Sequence, residues 1–240
     1  MTISIEKNGH QITSTKEWFE FAPPKGKEKQ WKEGRSALEM ANFSLSNSFP
    51  ILITKVLNET KLSPSETGFI CEPEANSSFG KGFGKGEPRN HDLLMIGKNT
   101  LIGIEAKVSE SFDVRIREKR KQVKSEQRIN KFLDFVYGDK KPNNVENLYY
   151  QLFSAVLGSI KEAERRNISN VIVLVLVFKD PRITNTAELN NIKNNNTAYD
   201  DFIKSLSVNM EEPFHFPEAQ SINCWVKKVE VEIGVEYTFR

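Results

Sequence analysis

Asp92-Leu-Leu-Met-Ile-Gly-Lys-Asn-Thr-Leu-Ile-Gly-Ile-Glu-Ala-Lys-Val108 reads as two strands joined by a tight turn. Leu93 to Ile96 is apolar, Leu101 to Val108 is apolar except at Glu105 and Lys107, and Gly97-Lys98-Asn99-Thr100 carries turn chemistry. Alternate residues of a strand share a face. Leu101, Gly103, Glu105 and Lys107 therefore lie on one side, and Ile102, Ile104, Ala106 and Val108 on the other, the evident core face. With Lys98 and Asn99 as the turn residues, Gly97 pairs with Thr100 and Asp92 falls opposite Glu105, at a Cβ separation of about 4.5–5.5 Å. Asn-Gly would fix a two-residue turn; Lys-Asn leaves the register open. Two carboxylates that close repel unless a cation or a proton lies between them, and Lys107 is one step along the same face. Two acids and an ammonium converging on one point suit a divalent metal with a basic helper. The competing reading is a salt bridge between Lys107 and one of the acids.

The rest of the chain frames this hairpin. With 240 residues, 38% hydrophobic and 28% charged, it fits a single domain over 1–240 with a core of its own. Cys71 and Cys224 make no disulfide framework, so a reducing cytoplasm is the simpler expectation. The first residues lack a basic-then-apolar leader pattern. The longest apolar run, Val171 to Phe178, is too short to span a bilayer, so no membrane partner is expected. A net charge of +2 decides nothing about nucleic acid; its distribution matters more.

Before the hairpin, Ser14-x-x-Glu17 is a capping box that opens a helix running to Ala22, stopped by Pro23-Pro24. Trp31, Leu38, Phe43, Leu45, Phe49, Ile53 and Val56 form the stripe of a longer helix with possible breaks from Ser46 to Pro50. Thr67 to Glu72 reads as the first strand, and Glu72 or Glu74 either adds a ligand to the site or ends that strand. From Ser77 to Gly86 the chain is Gly-rich but not a Walker loop. Lys81, Lys85 and two phenylalanines there suit either a phosphate-hugging, base-stacking loop or a plain one.

After the hairpin, Asp113 to Tyr137 reads as helical, and Arg115 to Lys131 holds eight Lys or Arg against two Glu. Arg115, Lys119, Arg120 and Lys124 are candidate phosphate contacts, or else a solvated face. Leu148 to Arg165 is an amphipathic helix and Val171 to Phe178 a strand buried on both faces. Asn190 to Asn196 reads as a loop and Thr197 to Ser205 as a short helix capped by Thr197. The closing strands alternate on even positions to Val226 and on odd ones from Val229, which suggests a bulge or turn at Lys227-Lys228.

Asp92 followed after a turn by Glu105-Ala106-Lys107 resembles the active-site hairpin of the PD-(D/E)XK nuclease superfamily, which includes restriction endonucleases; His91 stands where the motif has proline. Glu59-Thr60-Lys61 has the same spacing but closes a helix. The order of elements from about Gly34 to Lys179 resembles the superfamily's α-β-β-β-α-β core. That implies an α/β fold with a mixed central sheet and an insertion over Val114 to Lys141; an N-terminal helix and, over 180–240, a C-terminal helix and strands packed on the core lie outside the resemblance. Trp31 to Ala41 and Leu148 to Glu164 are similar to a bacterial branch of it.

The resemblance implies an Mg2+- or Mn2+-dependent endonuclease acting on DNA in preference to RNA, with a homodimer possible. Asp92, Glu105 and the Ala106 carbonyl would hold the ion, and Lys107 would orient water or steady the phosphate. Three further residues carry alternatives. Glu39 either faces the metal or closes a capping box with Ser36; Gln151 either projects into the site or lies exposed. Arg35 either holds a phosphate or is solvated. Only His10, His91 and His215 are present, and no Cys/His spacing fits zinc. The rival classes are a non-catalytic nucleic-acid- or partner-binding module and a structural protein; divalent-ion binding separates them from the enzyme.

Overall fold

The computed structural model describes residues 1–63, 66–80, 83, 87–122, 125–207, 211–234 and 236–239. Strands β1 (Thr2–Lys7), β2 (His10–Gln11), β3 (Gly68–Ser77), β4 (Arg89–Ile96), β5 (Thr100–Lys107), β6 (Asn170–Lys179), β7 (Phe214–Phe216), β8 (Ala219–Glu232) and β9 (Thr238–Phe239) join in one mixed sheet. Its order is β2-β1-β3-β4-β5-β6-β8-β7, with β9 also on β8. Among the described residues the helices are α1 (Thr15–Phe21), α2 (Ser36–Ser44), α3 (Ser48–Glu59), α4 (Ile116–Arg120), α5 (Glu126–Tyr137), α6 (Tyr150–Arg166) and α7 (Thr186–Leu206).

The decisive register is the one that Gly97 and Thr100 suggest. Gly97 N–H donates to the Thr100 carbonyl at 2.9 Å, and Ile96↔Leu101 to Leu93↔Ile104 follow in line. The turn is fixed from outside: the Glu66 carboxylate accepts the Lys98 and Asn99 amides at 2.9 and 2.7 Å. A Cβ on Gly97 would stand 2.5 Å from Glu66 Oε2, so glycine is what lets that carboxylate in.

Both faces of the sheet are core, not one. Ile102, Ile104 and Ala106 pack under α1–α3 with Trp18, Phe43 and Phe49. Leu101, Val173 and Val175 pack under α5–α7 with Phe132, Phe153 and Phe202. All eight residues of β5 are buried, which makes Glu105 and Lys107 interior charges.

Several expectations change. β1 extends the sheet in parallel beside β3; the alternating Ile3 and Ile5 that drive it lie in a stretch too short to stand out. The long helix breaks between α2 and α3 at Leu45 to Asn47, overlapping only the start of the expected window, and the basic region forms two short helices, not one. The C-terminal strands belong to the sheet rather than packing on it, with β8 parallel to β6. No turn or bulge occurs at Lys227-Lys228, because the β6–β8 ladder runs unbroken from Asn170↔Asn223 to Lys179↔Glu232. The phase changes because the cover changes: Ile222, Cys224 and Val226 meet the α5–α7 layer, and Val229 and Val231 the opposite layer. The Asn-rich segment is helical, since α7 starts after Asn185, whose side chain caps the Ala187 and Glu188 amides. Thr197 lies inside α7, and buried Asn195 grips the chain after β5 through the Phe112 amide at 3.1 Å and the Glu110 carbonyl at 2.7 Å.

Candidate active site

The site begins where the sheet forks. The β4–β5 ladder stops at Leu93↔Ile104, while β4 stays paired with β3 through Ala75↔His91 to Ser77↔Arg89. The step between, Glu74 and Asp92, is missing from the ladder, and Glu74 sits at φ 45°. A non-glycine residue there is strained and held by its surroundings. Across this step both strands turn over: Cys71, Leu93 and Met95 face the α1–α3 layer, whereas Ala75 faces the other. Two backbone debts are met by side chains. Lys7 Nζ donates to the Pro73 and Glu74 carbonyls at 2.5 and 2.9 Å. Asp92 Oδ2 accepts the Ala106 amide at 2.7 Å, which at the continuing register would have faced His91.

The fork opens a cleft of about 880 Å³ whose floor holds Glu74, Arg89, Asp92, Glu105, Lys107 and Gln151. Glu105 is the hub. Its Oε1 receives Lys107 Nζ at 2.8 Å and Gln151 Nε2 at 2.6 Å; its Oε2 receives the Arg89 guanidinium through Nη2. Gln151 lies in the first turn of α6, whose start is pinned by the Tyr150 amide on the Val114 carbonyl at 3.0 Å. Its Oε1 accepts the Asp113 amide at 3.1 Å. Both amide ends are thus committed, and of its two sequence readings Gln151 takes the one that points into the cleft.

The two acids beside the hub are electrostatically uncomfortable. Burial holds the Asp92 carboxyl above its usual range, against the pull of the Lys107 ammonium, the Ala106 amide and Arg89. Burial, then the neighbouring Asp92 charge, pushes Glu74 up to about 8. Lys107 and Arg89 are pushed down, chiefly by burial.

A pH dependence follows from Glu74. Its folded pKa exceeds the ordinary value of 4.5, so the folded chain keeps a proton that the unfolded chain has lost. Stability from this group is therefore full below about 4.5 and declines as pH rises toward about 8, by at most about 1.4 kcal/mol per pH unit. Glu74→Gln is expected to flatten that decline, seen as melting curves of variant and wild type that converge on acidification. Parallel pH profiles would contradict the buried, charge-crowded placement of Glu74.

The other sequence candidates divide. Arg35, the residue before α2, and Lys119 line the cleft, Lys119 resting over the Tyr150 ring at 4.9 Å. Glu39 does not reach it. Buried on the α1–α3 side, Glu39 accepts the Gly34 amide at 2.9 Å and lies 4.0 Å from Arg182. Its capping-box alternative fails as well, because Glu110 takes the Ser36 amide, at 2.9 Å. Arg120 is paired away from the cleft with Glu146 at 2.8 Å. Arg115 lines a separate small cavity with Tyr149 and Asp201. Lys81, Lys85 and Lys124 fall outside the described residues. Ala106 meets Asp92 through its amide, its side chain buried in the opposite layer. Phe79 and Phe83 are core anchors packed on Phe132 at 4.9 and 5.8 Å, not free stacking platforms.

Nothing in the local sequence marks Arg89 or Arg128 as a site residue, yet both line the cleft. Arg128 lies over the Phe79 ring at 5.3 Å and donates to the Glu87 carbonyl at 2.9 Å. The basic run around it gives no hint that it, rather than Arg120, meets the cleft. Arg89 has the right parity for the cleft only because β4 turns over at Asp92, which periodicity does not reveal.

Two of the cleft acids, Asp92 and Glu105, could hold a hard divalent ion. Among the described residues no group of three or more His, Cys, Asp or Glu side chains is placed to hold a metal ion. Mg2+ does not need one: one or two carboxylates, waters and substrate oxygens suffice. Asp92 and Glu105 provide two carboxylates in one cleft, and the cations now neutralising Glu105, Arg89 and Lys107, mark where positive charge belongs. Among the described residues no helix is long and apolar enough to cross a membrane.

No curated protein and no solved structure matches this chain. A family does, over residues 11–231. That span takes in β3 to β6, the fork and the whole cleft floor, so the chain belongs to the family described as "Domain of unknown function (DUF6946)".

Proposed function

We propose that this protein is a metal-dependent nuclease, a phosphodiesterase of the PD-(D/E)XK type acting on DNA in preference to RNA. The observation that carries the reading is the fork: Asp92 and the Glu105–Lys107 pair meet in one cleft at the point where β4 and β5 part. The run α2/α3, β3, β4, β5, α6, β6 supports a restriction-endonuclease-like core, with the hairpin in the interior of the sheet.

Asp92 and Glu105 would hold Mg2+ or Mn2+; when bound, the ion supplies Lewis acidity toward the phosphate and lowers the pKa of a water. The chain's own work is positional. Asp92 is fixed by the Ala106 amide, and Glu105 by Gln151, so neither acid must reorganise as charge develops. Lys107 brings an ammonium beside Glu105, where it steadies the phosphate or orients water. Arg35, Lys119 and Arg128 line the route for the polyanion. Charge reversal at Lys119 and Arg128 is expected to weaken binding to all sequences and reduce the salt slope by roughly one unit per lost contact; an unchanged slope removes both from the route.

The deciding test is cleavage of single- and double-stranded DNA and RNA with Mg2+ or Mn2+, together with melting curves. At a hundredfold excess over Kd the ion is expected to stabilise the fold by about 2.7 kcal/mol. The second reading, a non-catalytic binding module, draws on the saturation of Glu105 by Arg89, Lys107 and Gln151. No cleavage, no thermal shift and no calorimetric signal with either metal would favour it.

A further inference from the structure

Arg89 plays no part in the mechanism above, yet the fold is shaped around it. It leaves β4 three residues before Asp92, and it is only 8% exposed. Its stem passes under α6 at Gly158, where a Cβ would stand 2.7 Å from both Cβ and Cγ of Arg89. Glycine inside a helix is unfavourable, and here it makes room for this side chain. At its tip, Nη2 meets Glu105 Oε2, while the buried Nε has no partner among the described residues. A buried donor left unmet is costly, so this position of the guanidinium is incompletely satisfied.

Glu105 decides where an ion can bind. Oε1 already accepts from Lys107 and Gln151, whereas Oε2 is engaged by Arg89. An ion shared between Glu105 and Asp92 therefore comes to Oε2, where it meets a like charge. We propose that Arg89 is the resident cation of Glu105 and exchanges with a divalent ion, its freed guanidinium then binding a phosphate oxygen of the substrate in the cleft. This rests on the metal-dependent reading and goes beyond it. A guanidinium suits phosphate through paired donors, and Arg89 already lines the cleft. Ion binding thereby creates a phosphate ligand, so the two ligands strengthen each other's binding.

The test is calorimetric titration of Mg2+ into the full chain, without nucleic acid, for wild type, Arg89→Met and Gly158→Ala, with melting curves for each. Methionine keeps an apolar stem and removes the charge; alanine at 158 keeps every charge and only crowds the stem. Arg89→Met is expected to bind Mg2+ about 5–150-fold more tightly, the usual span of such couplings. Gly158→Ala should shift in the same direction by less. In a second titration, Ca2+ should strengthen binding of single-stranded oligothymidylate by wild type and fail to do so for Arg89→Met. If wild type binds Mg2+ and Arg89→Met binds it no tighter, the exchange is wrong and the metal reading stands. Silence from wild type and both variants overturns the two together. Should Arg89→Met not fold, Gly158→Ala decides: an unchanged Mg2+ affinity refutes the exchange.

Discussion

Asp92→Asn is expected to abolish both cleavage and the Mg2+-induced rise in melting temperature, while leaving the metal-free protein as stable as wild type or more so. The amide oxygen of asparagine can still accept the Ala106 N–H that Asp92 Oδ2 holds at 2.7 Å. What is lost is the charge, and with it the repulsion that helps push Glu74 up to about 8. Lys107→Met is the companion change. It keeps a stem of similar length over the Phe112 ring, which the ammonium now approaches at 5.5 Å, and removes the donor. By analogy with a single charge-stabilising donor, single-turnover cleavage should fall about 10²–10³-fold, with Mg2+ binding retained. Cleavage at the wild-type rate by either variant would mean that the active centre lies elsewhere.

Glu105→Ala should behave differently, through stability first. Its carboxylate is the counter-charge of two buried cations, Arg89 and Lys107, with side chains 8% and 8% exposed. Removing one member of a buried ion cluster costs about 3–5 kcal/mol, because the charges left behind are unpaired. For a chain of this length that is a fall in Tm of roughly 6–20 °C. The double variant Glu105→Ala/Arg89→Met should regain a large part of the loss, since one orphaned charge goes with it. Denaturant titration of the three proteins is the check. A Glu105→Ala protein within about 1 kcal/mol of wild type would show that Glu105 does not hold these charges in the interior. Inactivity of Glu105→Ala therefore says less about catalysis than inactivity of Asp92→Asn, whose fold is expected to survive intact.

The parts legible in the sequence were those that local chemistry dictates. A glycine, a threonine and two apolar runs suggested the β4–β5 register, and strand parity put Glu105 beside Lys107. Gln151 was a candidate only through the family resemblance, with an exposed position as the alternative; the stripe of α6 alone does not single it out, and its contact with Glu105 comes from the packing of α6 on the sheet. Glu66 was not legible, because it closes the hairpin from another segment. Nor was the turnover at Glu74 and Asp92: it is a joint event of two strands, and each alone reads as regular alternation. Arg89 was hidden by it. Glu39 failed for another reason. Its helix does precede β3, and the first residues of that helix, Ser36 and Ala37, line the cleft, but the Glu39 side chain is buried away from it, facing Gly34 and Arg182 instead. The Asn-rich segment shows how weak propensity yields to context, since α7 runs through it once Asn195 and Phe202 find partners in the core.

The margins of the sheet bear on how copies of this protein can meet. The outermost strands, β2 and β7, contain two and three residues, and β9 covers the far end of β8 with two more. Between β7 and β9 the rim of β8 carries Lys227 and Lys228, tethered toward Glu59 at 3.9 Å and Asp200 at 3.4 Å. Short borders and lysines along an open rim discourage one sheet from continuing into the next. A twofold assembly, if the chain forms one, is thus steered away from strand-to-strand annealing and toward its helical flanks, where Ile51 on the outer side of α3 is 61% exposed. The same borders guard a nine-stranded β-structure against fibrous stacking while it folds.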